Sequence, residues 1–462
     1  MFYNYCKLIN DNCNIIPIFH NAKQHGLSDK DAVNEILSYS IKGLVVVLDA
    51  GTNDIIEIGN LEDLGYKCIV ADHHDSNEFM KPFILVNNQY SDNVINKGLS
   101  GTGVTWKCLS RYDELYGYKY AKQFISYVMV SLISDSCPLI YNEQYTFIKW
   151  GKKNIHKNLI PLVNENKGDT NTDYSFGCVP LINSVIRMGK KDDKIKLFDL
   201  LCGKLDGDGI NDILSIAKKL HNKQSSDATK LMSDVNIITD KNIILGKISK
   251  QTSLTGYVAQ KLSTKYNKPV LLVHNADDKD NICGGSFRSS INIYDAIYNS
   301  NGLLKYEGGH EGYAGGVSYN SLNEQQVIDY LDNITLCEPC TDVLIDTVIT
   351  CLPNQLFDFN KRYNALWGKG IPTPNIYIEK FEPSAIKIYD KVIRIEKGDI
   401  SCVTFFPTNE QKEMFNKSNI SLDIIGEPCY NVFNSRTNKQ ILINKYNITV
   451  NKEISWEDIF NE

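Results

Sequence analysis

Two stretches, LVVVLDAG (residues 44–51) and YKCIVADHHD (residues 66–75), anchor the architecture. Each is a near-continuous apolar run of strand length that ends in acidic or histidine residues. An unbroken run, as opposed to an alternating one, marks a strand buried on both faces, as in parallel sheets. Between them NDIIEIGNLEDLG (residues 53–65) has helical spacing, so the three segments form a βαβ unit with short connections. Upstream, DKDAVNEILSY (residues 29–39) reads as a helix with Ser28 as its N-cap. Open parallel sheets hold ligands at the carboxyl ends of their strands. Asp49 and the Asp72-His73-His74 run both fall at such ends.

The chain has 462 residues, 49 Lys+Arg against 55 Asp+Glu, 42% hydrophobic and 23% charged residues. This globular composition excludes disorder or a fibrous repeat for the whole chain, and its length calls for several domains. A net charge of −6 gives no overall preference for a polyanion, so a nucleic-acid role must rest on local charge. No apolar run approaches the roughly 20 residues of a membrane helix, and the N-terminus lacks the pattern of a signal peptide. The 13 cysteines show no CxxC spacing, so reduced thiols in a cytoplasmic protein are expected.

Further along, helices are expected over residues 119–132, 190–201 and 211–235; the last is long and polar enough to bridge two domains. A second α/β segment follows over residues 241–336. Short strand signals such as IKIYDKVIRIE and QILINKYNITV fill the C-terminal region and suggest a small antiparallel β domain.

A lone histidine is usually a surface or satisfied core residue; two in tandem, flanked by Asp72 and Asp75 at a strand end, favour a cation site. Asp49 ends the neighbouring strand, and Asp135 follows the buried stretch that leads into LISDSCPL. Asp49, His73, His74 and Asp135 form a His/carboxylate set suited to Mn2+ or Mg2+ and hydrolysis, without the thiolates of a structural zinc site. A second constellation is GGSFRS (residues 284–289) with GGHEGYAGG (residues 308–316). Its glycines, Gly309 among them, admit backbone N–H groups to a phosphate, which Arg288 can clamp and Ser289 and His310 can hydrogen-bond. Residues 241–270 and 149–157 hold lysines and no acid, either a solvated face or a track for a phosphate backbone.

These motifs resemble those of the DHH-family phosphoesterases, and within them the RecJ-type single-strand DNA exonucleases. VVVLDAG, VADHHD, SGTGVTWKCL (residues 100–109) and LISDSCPLIYNEQYTFIKWG (residues 132–151) are similar to successive family segments. FGCVPLINSVIRMG (residues 176–189) matches a RecJ segment at Asn183 and Arg187, with Leu181 and Ile186 departing from it. GGSFRS and GGHEGYAGG look like the family's second domain, and YNALWGKGIPTPNIYI (residues 363–378) like the passage leading into an OB-fold. The resemblance implies an α/β fold: a parallel-sheet DHH domain over residues 1–205 and a connector helix over 206–238. A DHHA1-like domain over 239–340 and an OB-like antiparallel β domain over 345–462 would complete it. It implies that Asp49 bridges two metals, that His73 and Asp135 are ligands, and that His74, as ligand or phosphate contact, is catalytic together with Asp72. Arg288, Ser289, Gly309, His310, Asn183 and Arg187 would bind substrate. The implied activity is metal-dependent 5′-to-3′ hydrolysis of single-stranded DNA by a monomer, in recombination and repair or phage DNA metabolism.

The family's first motif, Asp-x-Asp-Gly, has no counterpart before Asp49, so a two-metal site would be incomplete in this chain. An upstream-encoded N-terminal fragment is therefore one expected partner, and a single-strand-binding protein another. Two alternatives stay open: a catalytically impaired DHH relative that binds single-stranded DNA or a replication partner, and a phosphodiesterase for small oligonucleotides or cyclic dinucleotides.

Overall fold

The computed structural model describes residues 1–450 apart from 21–25, 40, 76–82, 91–92, 251, 275–280, 311, 337–343, 350–353, 418 and 434–435. Contacts divide the chain into two units. The first comprises Met1–Cys137, Tyr141–Asn166 and Tyr174–Pro339; the second comprises Pro138–Ile140, Lys167–Asp173 and Cys340–Glu462.

The first unit opens with α1 (Phe2–Ile9), α2 (Lys30–Ser38), β1 (Leu44–Leu48), α3 (Ile55–Asp63), β2 (Lys67–Asp72) and β3 (Ile84–Asn87). The three strands form a parallel sheet in the order β1-β2-β3, with Val46 opposite Ile69 and Ile69 opposite Ile84. The βαβ reading holds because Cys68 and Val70 bury against Ile58 and Leu61 of α3 and Ile36 of α2. One detail differs. Asp29, not Ser28, caps α2: its carboxylate accepts from the Asp31 N–H at 3.1 Å and meets His20 Nδ1 at 3.1 Å, while Ser28 belongs to the preceding short turn.

Helices α4 (Gly101–Tyr116), α5 (Ile125–Ser134), α6 (Asn142–Lys153), α7 (Ile160–Val163), α8 (Asn171–Phe176), α9 (Cys178–Met188), α10 (Lys191–Cys202) and α11 (Gly207–Ser233) follow. The helix expected over 119–132 is a short 3-10 turn, Ala121–Phe124, running into α5. α5 is buried nearly all round, and α6 packs along it at Gly151, where an added Cβ would lie 2.5 Å from Met129 Cβ. α11 starts earlier than its apolar pattern suggests, because Asp206 caps it by accepting from the Gly209 N–H at 2.9 Å. Its 27 residues span about 40 Å. Ile213 and Ala217 lie on its buried stripe, where the Ser184 hydroxyl of α9 donates to the Ala217 carbonyl at 3.1 Å.

The same unit continues through β4 (Asn236–Thr239), β5 (Ile244–Ile248), α12 (Thr255–Tyr266), β6 (Val270–His274), β7 (Ile282–Arg288), α13 (Tyr294–Tyr298), β8 (Lys305–His310), β9 (Ala314–Asn320) and α14 (Glu324–Asn333). These strands make a mixed sheet in the order β4-β5-β6-β7-β9-β8, in which only β5 and β6 run parallel. α12 covers one face through Val258 and Leu262; Phe287, Ile297 and Leu331 fill the other. The lysine stretch over 241–270 is partly neutralised: Lys241 pairs with Asp332 at 2.9 Å and Lys247 pairs with Glu324.

The second unit contains β10 (Thr347–Ile349), α15 (Asn354–Arg362), β11 (Ile376–Phe381), β12 (Ala385–Ile388), β13 (Val392–Lys397), β14 (Ile400–Phe405), α16 (Asn409–Phe415), β15 (Ile420–Phe433) and β16 (Arg436–Val450). Its sheet order is β10-β11-β15-β16-β14-β13-β12. The sheet is mixed, not antiparallel throughout: β14 runs parallel to β16, and β10 to β11. Phe357, Ile393, Ile395, Phe415, Ile424 and Ile441 form its core. Among the described residues no disulfide forms, and no helix is long and apolar enough to cross a membrane.

The tight α5–α6 contact makes a test of this packing. Gly151→Val should destabilise the protein by about 1–3 kcal/mol through overpacking against Met129, read as a lower denaturant midpoint.

Candidate metal centre

The site grows from the carboxyl ends of the three parallel strands. Asp72, the last residue of β2, is 1% exposed, yet its carboxylate is fully engaged. Thr52, just past β1, donates its hydroxyl at 2.7 Å and its N–H at 3.2 Å to Oδ2. The His73 N–H reaches Oδ1 at 2.7 Å, and His74 Nδ1 reaches the same oxygen at 2.7 Å. Asn87, the end of β3, donates to the Thr52 hydroxyl and to the His74 carbonyl, both at 2.9 Å. Burial alone would raise the Asp72 pKa. The hydrogen bond and charge of His74, with the Thr52 and His73 donors, reverse this and hold the carboxyl well below its usual range. Asp72 in turn raises His74. Asp72 thus acts through His74, fixing which ring nitrogen faces the protein and which faces outward.

His73 turns the other way. Its Nδ1 lies 3.0 Å from the Leu99 carbonyl, so Nδ1 donates there and Nε2 points toward Asp49, 3.3 Å from Oδ1. Asp49, His73 and Asp135 each place a ligand atom within 4.8 Å of the others, and Asp72, His73 and His74 form a second such group. Burial lowers the His73 pKa, but Asp49, Asp135 and Asp72 outweigh it and the net shift is upward.

Asp49 adopts φ +62°, left-handed backbone that aspartate tolerates better than most residues, while its N–H continues the ladder to the Ala71 carbonyl at 2.9 Å. Its side chain is 52% exposed. The first turn of α4 closes against it: a Cβ on Gly101 would stand 2.1 Å from Asp49 Oδ1. Ser100 caps that helix by accepting from the Gly103 N–H at 3.2 Å, and the positive helix end suits the neighbouring carboxylate. Asp135 terminates α5. The protein around its carboxyl and the adjacent Asp49 push it up to about 6, against the pull of His73 and His74.

This donor set fits a divalent cation that prefers oxygen and imidazole, with no thiolate among the grouped residues. The Leu99 contact fixes the tautomer that leaves Nε2 of His73 available, the usual outer support of a ligating imidazole. Asp49, His73 and Asp135 would hold the ion, with His74 beside it.

The phosphate constellation divides. On α9, Asn183 and Arg187 are four residues apart and share a face, while Leu181 is buried and Ile186 exposed. Arg288 ends β7, its Nη1 donating to the Phe287 carbonyl at 2.6 Å. Burial pulls both guanidiniums down, and Arg187 further lowers Arg288, so two half-buried cations lie near each other. A Cβ on Gly256, in the first turn of α12, would stand 2.7 Å from Arg288 Nη2. Ser289 accepts from the Ile291 N–H at 3.1 Å and donates its N–H to the Tyr313 carbonyl at 2.8 Å. Gly309 pairs with Gly315 across β8 and β9, where any Cβ would strike the Ala314 carbonyl oxygen at 2.2 Å. The backbone of His310 ends β8; its side chain lies outside the described residues.

Sequence reasoning missed Thr52, Asn87 and Gly101. Thr52 follows the first strand and Asn87 ends the third, so strand-end position was the available signal. Gly101 opens the Gly-x-Gly helix start, where close approach to a strand end is a standing reason for glycine.

A parallel sheet thus carries a His/carboxylate group at its strand ends, and a long helix leads from it to a mixed sheet bearing Arg288. No family model matches the chain. The chain is 27% identical over 97% of its length to the putative prophage-derived single-strand DNA-specific exonuclease YorK of Bacillus subtilis, covering 85% of that protein. It is 23% identical over 89% of its length to Bacillus subtilis RecJ, of which it spans 55%. The solved structure of Mn2+-bound RecJ from Thermus thermophilus superposes with a TM-score of 0.70 over 90% of this chain, at 19% identity. The chain spans 63% of that protein's length. The Mg2+ complex gives 0.64 at 16% identity. The chain is RecJ-like, and the DHH-family resemblance of its motifs stands.

Two measurements test the centre. Gly101→Ala should displace the Asp49 carboxylate and weaken Mn2+ binding by about tenfold or more, the scale of disrupted ligand support, while leaving the circular dichroism spectrum unchanged. The raised Asp135 pKa makes the apparent Mn2+ affinity fall as pH drops below about 6, because the ion must then displace the Asp135 proton as well as that of His73. Calorimetry in buffers of different ionisation heat should detect more protons released per ion below that pH than at neutrality. In the metal-free protein the sign is opposite for folding: Asp135 favours the native state most when protonated, and that contribution declines as pH rises from its ordinary range through about 6.

Proposed function

We propose that this protein is a divalent-metal-dependent nuclease that hydrolyses phosphodiester bonds of single-stranded DNA from the 5′ end. The observation that carries the reading is the meeting of Asp49, His73 and Asp135 in one ligand-distance group, within a unit that also brings Arg187 and Arg288 together. The single-strand specificity comes from the names of YorK and RecJ, and the 5′ polarity from the motif resemblance. Mn2+ or Mg2+ is the expected ion, and each accompanies a structurally similar RecJ. A bound ion would lower the pKa of a coordinated water and offset charge on the phosphoryl oxygens.

The residues then divide the work. Asp49, His73 and Asp135 hold the ion, with the Leu99 carbonyl and the first turn of α4 keeping two of those ligands aimed. His74, gripped at Nδ1 by Asp72, presents its other nitrogen to a phosphoryl or departing oxygen, and its raised pKa favours the protonated, donating form. Arg187 and Arg288, with Asn183, Ser289, Gly309 and His310, bind the phosphates. A polyanion would relieve the repulsion between those two guanidiniums, which costs the free protein.

The second unit is read as an OB-type domain. β11 pairs with β15 and β12 with β13, β14 pairs in parallel with β16, and α16 lies between β14 and β15 in the chain. That connectivity supports a single-strand-binding role. On this reading the chain keeps the four-part division into a DHH domain over 1–205, a connector over 206–238, a DHHA1-like domain over 239–340 and the OB-type region over 345–462.

The test is direct. With Mn2+, 5′-labelled single-stranded DNA should lose its label as mononucleotide, faster than 3′-labelled or duplex DNA. Asp49→Ala and His73→Ala should reduce the loss to that seen in chelator. No metal-dependent loss above those variants would overturn the proposal.

A further inference from the structure

A file of aromatic rings leads outward from the core of the second sheet. Phe287, fully buried on β7, lies 5.9 Å from Tyr306 on the edge strand β8. Tyr306 meets Tyr294 edge-on at 5.2 Å, and Tyr294 stacks on Tyr298 at 5.6 Å with the planes 14° from parallel. Tyr298 ends the file 70% exposed. One ring face is therefore covered by Tyr294 and the other is open to solvent. α13 is only five residues long, yet it is firmly seated. Ile297 is buried, the Ile293 N–H donates to the Gly312 carbonyl at 3.0 Å, and the Tyr294 N–H donates to Asn292 Oδ1 at 2.8 Å.

Position gives this file a meaning. Tyr294 follows Arg288 by six residues, through a loop pinned at Ser289 to Tyr313 and at Ile293 to Gly312. Gly312 lies in the turn between β8 and β9, and the adjoining Ala314 pairs with Arg288, so the rings start from the end of the sheet that carries this arginine. Core packing accounts for Phe287 and Tyr306, but not for an exposed ring held parallel on another. A preordered aromatic face beside a phosphate site is what an unpaired nucleobase stacks on.

We propose that Tyr298, backed by Tyr294, is a stacking platform for one base of the single-stranded substrate, near the nucleotide whose phosphate meets Arg288. This rests on the nuclease reading and adds a contact to the base, one that a duplex with its bases inside cannot make. Stacking is indifferent to base identity, so the platform favours unpaired strands without favouring a sequence.

Single-stranded oligonucleotides carrying 2-aminopurine at successive positions from the 5′ end test this in chelator, where cleavage is absent. One position should be quenched on binding. Tyr298→Ala should remove that quenching and weaken binding by roughly tenfold, while Tyr298→Phe, which keeps the ring, should preserve both. An abasic residue at the same position should weaken binding to the native protein but add nothing to Tyr298→Ala. Equal affinity and quenching in Tyr298→Ala, or no binding of single strands by the native protein, would overturn the platform. Tyr298-dependent binding without Mn2+-dependent cleavage would instead leave the platform standing and sink the nuclease reading.

Discussion

The Asp72 carboxylate is the constraint on which the rest of the site depends. It lies out of water, where an isolated charge is costly, and it is tolerated because five donor groups close on it. Those donors come from the ends of β1 and β2, and Asn87 at the end of β3 braces them. One buried charge thus ties three strand ends together, at the edge where a parallel sheet leaves its backbone groups unpaired. Removing that charge would leave Thr52, His73 and His74 pointing at an acceptor too weak to hold them.

Around this anchor the two adjacent histidines receive opposite assignments. His74 is turned inward at Nδ1 to Asp72, and His73 is turned at Nδ1 to the Leu99 carbonyl. Each leaves Nε2 for other partners, but the carboxylates on one side differ from those on the other. His73 faces Asp49 and Asp135, while His74 is governed by Asp72. On the proposed reading a tandem pair would thereby supply one ligand and one proton-holding group without any change of residue type.

Much of this was legible in the sequence because apolar runs of strand length that end in polar residues mark both the strands and the site. The expected burial on both faces holds best for the central β2; β1, at the sheet edge, is half-buried at Val45–Val47 and exposes Leu44 and Leu48. Asn183 and Arg187 came from the motif resemblance alone, and the structure sets them four residues apart on α9. Local rules did less well where tertiary contacts decide. Ser28 and Asp29 are both good helix caps, and the choice fell to Asp29 because His20 also reaches it. Lys241 and Lys247 looked unopposed because their partners, Asp332 and Glu324, lie some 80 to 90 residues away. The parallel pairing of β14 with β16 arises from connectivity and leaves no mark on the alternating pattern of either strand.

The left-handed backbone at Asp49 bears on how the site can evolve. Glycine, asparagine and aspartate are the residues that occupy such a conformation at small cost. Of these, aspartate alone brings a carboxylate. Glutamate and cysteine, which could also reach a cation, are penalised by the main chain before their chemistry is tried, while histidine tolerates the conformation but brings no carboxylate. On the proposed reading, Asp49 would therefore be lost by a single conservative step, to asparagine, and exchanged for another carboxylate only at a cost to the backbone. Drift at this position would sooner silence such a centre than retune it.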